Sequence, residues 1–267
     1  MKHCLFFIPI ILCVLFSPIL RAQEESSKDS SKVEWTVATD FQTRYVWRGL
    51  LLGGSSPSLQ PQMSFSWKGL TVGTWGAFSF NSLTVQELDL YISYTFWKEM
   101  FSVYVYDYCL PNEADADFSY FNYKNATTSH VFEAGVVFNG VEKVPVSASV
   151  FVNLYGADAK NANGKNIFSS YAEVSYNPTI KKACVDLSIF AGAALNGQSY
   201  WVVVPDVGYV EKVGYYGNTG FAVINLGLKA KKEFKIGDKV SFPVSTGLIF
   251  NPCSKKTYLV GSIGFSL

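Results

Sequence analysis

From Trp35 to Gly49 the chain reads WTVATDFQTRYVWRG and keeps a period of two throughout. Trp35, Val37, Thr39, Phe41, Thr43, Tyr45 and Trp47 fall on one side of an extended chain, and Thr36, Ala38, Asp40, Gln42, Arg44, Val46 and Arg48 on the other. Successive side chains of a strand point to opposite faces, so this stretch has one apolar and one polar face. Its two tryptophans stand twelve residues apart. At about 3.3 Å per residue and a tilt near 45° that is a rise of about 28 Å, the height of a bilayer's apolar band. A half-buried strand of a soluble β-sandwich explains the alternation equally well, but not the length or the aromatic ends. The expectation is a membrane-crossing strand with Trp35 and Trp47 at the two interfaces and Asp40, Arg44 and Arg48 facing inward.

The chain begins with Lys2 and His3, an apolar run from Leu5 to Leu20 broken by Pro9 and Pro18, and then Arg21-Ala22-Gln23. This is the pattern of a secretory signal peptide over residues 1–22, with cleavage expected after Ala22. Its removal takes Lys2 and Arg21 from 22 basic residues against 21 acidic ones, leaving a net charge near −1. No basic run remains, so nucleic acid is not an expected partner. Residues 23–33 are polar and aperiodic and read as a flexible lead-in. Three cysteines follow the signal, Cys109, Cys184 and Cys253, with no metal or redox spacing. A bridge between Cys109 and Cys253 is one option, and isolated thiols packed as small hydrophobes the other.

The rest of the chain, 34–267, repeats the alternation. Leu59, Pro61, Met63, Phe65 and Trp67 share a face, as do Leu88, Leu90, Ile92, Tyr94 and Phe96, and then Val146, Ala148, Val150, Val152 and Leu154. Twelve strands result, with ten to fourteen allowed by the bulky faces of FSVYVYDYCL and by YWVVVP, which reads as an extra strand or an aromatic rim. Strand ten is read as Phe221 to Leu228, followed by a charged connection, KAKKEFKIGD. Connections mostly alternate long and short, as in bacterial outer-membrane barrels. Trp35, Trp67 and Trp97 then fall together at the short-turn end as one aromatic girdle, with Trp47 near the other. The fold class expected is all-β, a transmembrane antiparallel up-and-down β-barrel embedded in outer-membrane lipid. No loop is obviously folded inward, and a monomer is expected.

The stretches TDFQTRYVWRGLLLGGSSPSLQPQMSFSWKGLTVGTWGAF, VYVYDYCLP, VFEAGVVF with Glu133, and FPVSTGLIFNP resemble the TorF-type porin family over nearly the whole chain after the signal. The resemblance implies an exported outer-membrane barrel with a small pore, inserted by the barrel-assembly machinery of a Gram-negative bacterium. Pore-lining candidates from the alternation are Asp40, Arg44, Arg48, Lys68, Glu87, Asp89, Glu133, Glu173 and Asp186. One reading is a pore whose charged walls select small polar solutes or ions. The other is an ion-pair network that fills the barrel of a structural or adhesive surface protein, because unpaired charges inside are costly. A lipid-modifying enzyme needs a base beside a serine. His130 is the one histidine after the signal and is read as a strand-end residue at the aqueous rim; two residues on stands Phe132, not serine. No glycine loop for phosphate and no metal-spaced cluster is present, so no cofactor and no catalysis are expected.

Overall fold

The computed structural model describes residues 33–81, 86–111, 118–141, 143–204, 206–237 and 240–267. The expected signal peptide and nearly all of the lead-in lie outside them. Twelve strands build the wall: β1 (Glu34–Gln42), β2 (Ser58–Trp67), β3 (Leu70–Ser79), β4 (Glu87–Phe96), β5 (Phe101–Cys109), β6 (His130–Phe138), β7 (Val146–Gly156), β8 (Ser170–Tyr176), β9 (Val185–Ala194), β10 (Ala222–Ile236), β11 (Val240–Asn251) and β12 (Lys256–Ser266). Each pairs antiparallel with its successor, and β1 pairs with β12 through Ala38↔Ser266 to Gln42↔Ser262, so the sheet closes on itself. Closure leaves no unpaired edge, which a sheet in lipid requires. The chain is a transmembrane up-and-down barrel of twelve strands.

The outside is apolar all the way round. Trp35, Val37 and Phe41 on β1, Leu88, Leu90 and Ile92 on β4, Val136 on β6, Ile189 on β9, Leu248 on β11 and Leu259 and Ile263 on β12 are all exposed. Trp35, Val37, Phe41, Leu88, Leu90 and Ile92 are among the residues that the alternation places on an apolar face. At the short-turn end Trp35 packs edge-on against Phe65 at 5.1 Å, and Trp97 stacks on Phe101 at 5.6 Å. Lys68 and Gly69 both have positive φ, the geometry of a tight two-residue hairpin turn.

Inside, the two halves differ. Toward the short turns the wall carries small hydroxyls that pair with one another, such as Ser66 with Thr71, Thr95 with Ser102 and Ser245 with Ser262. Toward the long loops it carries aromatic rings. Several lie flat over a glycine of the adjoining strand: a Cβ at Gly73 would strike Tyr91, one at Gly135 would strike Phe151, and one at Gly227 would strike Phe190, each pair being direct neighbours in the sheet register. The missing side chain is the space in which the ring lies.

Three expectations change. The stretch from Trp35 to Gly49 is not one strand. β1 ends at Gln42, where Gly261 N donates to Thr43 Oγ1 and Thr43 N to Gly261 O, and the chain then turns away from the wall. Val46–Trp47 pairs with Leu50–Leu51 across Arg48 and Gly49, whose positive φ values make the turn of a small hairpin. A loop does fold inward, and it is this one. Finally, KAKKEFKI is not a connection but the second half of β10, paired with β11 as far as Ile236↔Val240. YWVVV lies in an extra strand outside the wall, Ser199–Val204 paired with Gly208–Val213. Cys109, Cys184 and Cys253 are free thiols, Cys109 buried and the other two exposed.

Candidate functional site

The inward hairpin reaches across the lumen and is fixed at its tip. Gly49 O accepts from Asn251 Nδ2 of β11 at 3.0 Å, and any side chain at Gly49 would strike the Ile224 carbonyl of β10. Arg48 projects from this tip. Its guanidinium forms a bidentate pair with Glu133 of β6, Nη1 to Oε1 at 2.5 Å and Nη2 to Oε2 at 2.8 Å, and donates to Tyr216 Oη at 2.9 Å. Tyr108 Oη donates to Glu133 Oε2 at 2.9 Å. Rings surround the pair: the guanidinium carbon lies 4.4 Å from the centre of Trp47, 4.6 Å from Phe151 and 4.6 Å from Tyr171. Arginine suits this place because its planar head accepts flat rings and a carboxylate fork at once.

Side chains from both sides support the clamp. Tyr104, Tyr106 and Tyr108 of β5 stack along the strand, with centroids 5.6 and 5.2 Å apart. Trp47 stacks on Tyr216 at 6.0 Å. Tyr45, at the root of the hairpin, donates to Glu87 Oε2 at 2.7 Å and leans on Trp75 at 5.5 Å. Burial, and then the nearby Glu87 charge, push the Tyr45 phenol well above its ordinary range, so it stays a neutral donor. Burial raises the Tyr216 phenol too, against the pull of Arg48.

Beside the hairpin is a chamber with an empty volume of about 990 Å³, which includes space open to solvent. Its lining includes Arg48 and Trp47 from the hairpin, Trp75, Asp89 and Tyr106 from the β3–β5 side, and Glu173, Asn225 and Lys229 from the opposite side. Glu173 Oε2 accepts from Tyr171 Oη and, at 2.7 Å, from Asn225 Nδ2. Lys229 lies 5.0 Å above the Phe190 ring. Among the described residues no group of three or more histidine, cysteine or acidic side chains could hold a metal ion.

The predicted lining residues divide accordingly. Arg48 and Glu133 meet, Asp89 and Glu173 line the chamber, and Glu87 lies behind Tyr45. Asp40 stands on the β1 wall opposite Gly264, and Arg44 at the bend after it. Two of the candidates lie elsewhere. Lys68 is an exposed turn residue over the Trp67 ring at 4.9 Å, because the chain reverses there before another inward position is reached. Asp186 lies near the short turns, where its carboxylate accepts from Thr179 Oγ1 at 2.6 Å. Trp47 is no girdle residue: the turn at Arg48-Gly49 carries it into the lumen. Tyr45, Phe151, Tyr171, Tyr216 and Lys229 are residues of the candidate site that the sequence reading leaves out. His130 is fully buried rather than at an open rim. Its Nδ1 bridges to Asp107 Oδ1 at 2.7 Å and its Nε2 to the Tyr120 carbonyl at 2.6 Å, beneath the 118–129 loop.

An outer-membrane channel from Pseudomonas putida F1 is 10% identical, over 87% of this chain and 94% of that one, with a TM-score of 0.42. The CymD monoaromatic hydrocarbon channel is 10% identical, over 90% and 89%, with a TM-score of 0.39. The translocator domain of the autotransporter NalP from Neisseria meningitidis is 11% identical, over 90% and 89%, with a TM-score of 0.37. No curated protein matches the chain. One family model does, over residues 26–193, and its description assigns no activity and does not mention the TorF-type porins. With more than half of its length matched, the chain belongs to that family, described as bacterial protein of unknown function, Gcw_chp.

Proposed function

We propose that this protein is an outer-membrane barrel, exported by its signal peptide and inserted by the barrel-assembly machinery, that passes small solutes through a lumen constricted by the Thr43–Pro57 segment. The observation that carries the reading is the inward hairpin with the Arg48–Glu133 pair at its tip. A loop drawn into the lumen with a polar chamber left beside it, lined by Arg48, Asp89 and Lys229, is the arrangement of a constriction, and the hydroxyl-lined half toward the short turns adds little bulk of its own. Charged and hydrogen-bonding groups at a constriction are what sort solutes by charge and size. The reading requires no catalytic group and no cofactor, and one chain suffices to close the barrel.

A second reading has a specific observation in its favour. The bidentate pair and three ring faces hold Arg48 so fully that the hairpin could be a permanent plug in a structural barrel. The test is conductance of the refolded mature protein in a planar bilayer, beside Arg48→Ala. The channel reading expects small discrete steps from the wild type, and larger steps with altered ion preference from the variant. Silence from both proteins, with insertion verified by protease protection, leaves the plug.

A further inference from the structure

The chamber is asymmetric in charge. β4 and β10 stand six strands apart in either direction round the twelve-strand wall, so they face each other. Glu87 and Asp89 project inward from β4, and Lys229 and Lys231 from β10. Glu173 lies near Lys229, Arg48 is committed to Glu133 and Tyr216, and Tyr45 answers Glu87. Asp89 is different. It is 4% exposed and lines the chamber, and its Oδ1 meets no protein donor. A buried carboxylate oxygen without a donor is costly, and a proton or a cationic donor completes it.

The walls around it indicate which. Asp89 stands between Trp75 on β3 and Tyr108 on β5 in the sheet register, with Tyr91 two residues along its own strand and Tyr106 5.7 Å from Tyr91. Aromatic faces with a carboxylate at their base form a receptor for an organic ammonium group: the rings attract the cation through their quadrupoles, and the carboxylate accepts its N–H bonds. A strongly hydrated inorganic ion gains little from the rings, and an anion at this wall is opposed by Asp89, the cationic Lys229 lying on the opposite side of the chamber.

We infer that the chamber is a binding site for small organic ammonium solutes, with Asp89 as the counter-ion and Trp75, Tyr91 and Tyr106 as the walls. This rests on the solute-channel reading and narrows it to a class of solute.

The experiment is calorimetric titration of the detergent-refolded protein at pH 8 with benzylammonium and with its neutral counterpart benzyl alcohol. Wild type is expected to prefer benzylammonium by about tenfold or more, the usual worth of a charged hydrogen bond. Asp89→Asn, which keeps the shape, should bring the two probes to equal affinity, while unheated gel mobility shows that its barrel has formed. Equal affinity in the wild type overturns the ammonium site, whatever the variant does. The two readings fail separately. Conducting pores with no probe preference leave the channel and sink the site, whereas a clear preference with silent bilayers leaves the site and sinks the channel.

Discussion

At the scale of single residues the decisive contact is between Arg48 and Glu133, 85 positions apart in the chain. Their side chains are 8% and 0% exposed, so neither charge has water to fall back on. Removing one partner of a buried pair leaves the other uncompensated, at a cost of about 3–5 kcal/mol, whereas replacing both by apolar groups of similar volume is often neutral. Glu133→Ala is therefore expected to lower the urea midpoint of the vesicle-inserted protein sharply. The double variant Arg48→Met with Glu133→Leu should recover most of the loss. A double variant as unstable as the single one would mean that the hydrogen bonds of Tyr108 and Tyr216, and not the charge pair, hold the hairpin. From sequence both residues are legible as inward-facing charges. Their partnership is not, because period-two patterning gives the face of a residue and never its depth or its neighbour across the lumen.

At the scale of elements the lipid-facing rows are readable because bilayer contact demands an apolar residue at every second position and tolerates few exceptions. The inward hairpin escapes the same logic. Tyr45 and Trp47 continue the period of β1 although the chain has left the wall, since a hairpin strand alternates as a barrel strand does. The second half of β10 escapes for the opposite reason: its four lysines suggest solvent, yet Leu228, Ala230, Phe234 and Ile236 keep the outward row intact around Lys232. The paired glycines and rings are likewise visible only once register is known. They make a prediction about the wall itself. Gly135→Val would put branched carbon where the Phe151 ring lies, and Phe151 is one of the three faces against Arg48. The ring must swing into the lumen or displace the guanidinium. The expected outcome is an assembled barrel, with unheated gel mobility retained, whose single-channel conductance differs from that of wild type. Unchanged conductance would separate the wall packing from the constriction.

For the whole molecule, the six tryptophans report how the barrel sits. Trp35 and Trp97 are 65% and 67% exposed at the short-turn end, with Trp67 beside them at 43%. Trp47 and Trp75 line the chamber, and Trp201 is on the outer hairpin. An indole is favoured at the boundary between hydrocarbon and headgroup, where its apolar body and its N–H are both accommodated. Proteins keeping one tryptophan each, with the others changed to phenylalanine, can be refolded into vesicles whose acyl chains carry bromine, a contact quencher of indole fluorescence. Trp35, Trp67 and Trp97 should be quenched strongly, most by bromine near the headgroups. Trp47 and Trp75 should be spared, since a wall of paired strands lies between them and the lipid. The contrast between Trp35 and Trp47 tests whether the chain leaves the wall after Gln42, because an uninterrupted strand would put both at the bilayer. Strong quenching of Trp47 would return it to the lipid boundary and take the Arg48 constriction with it. Weak quenching of Trp35, Trp67 and Trp97 would deny the short-turn end its place at the membrane surface.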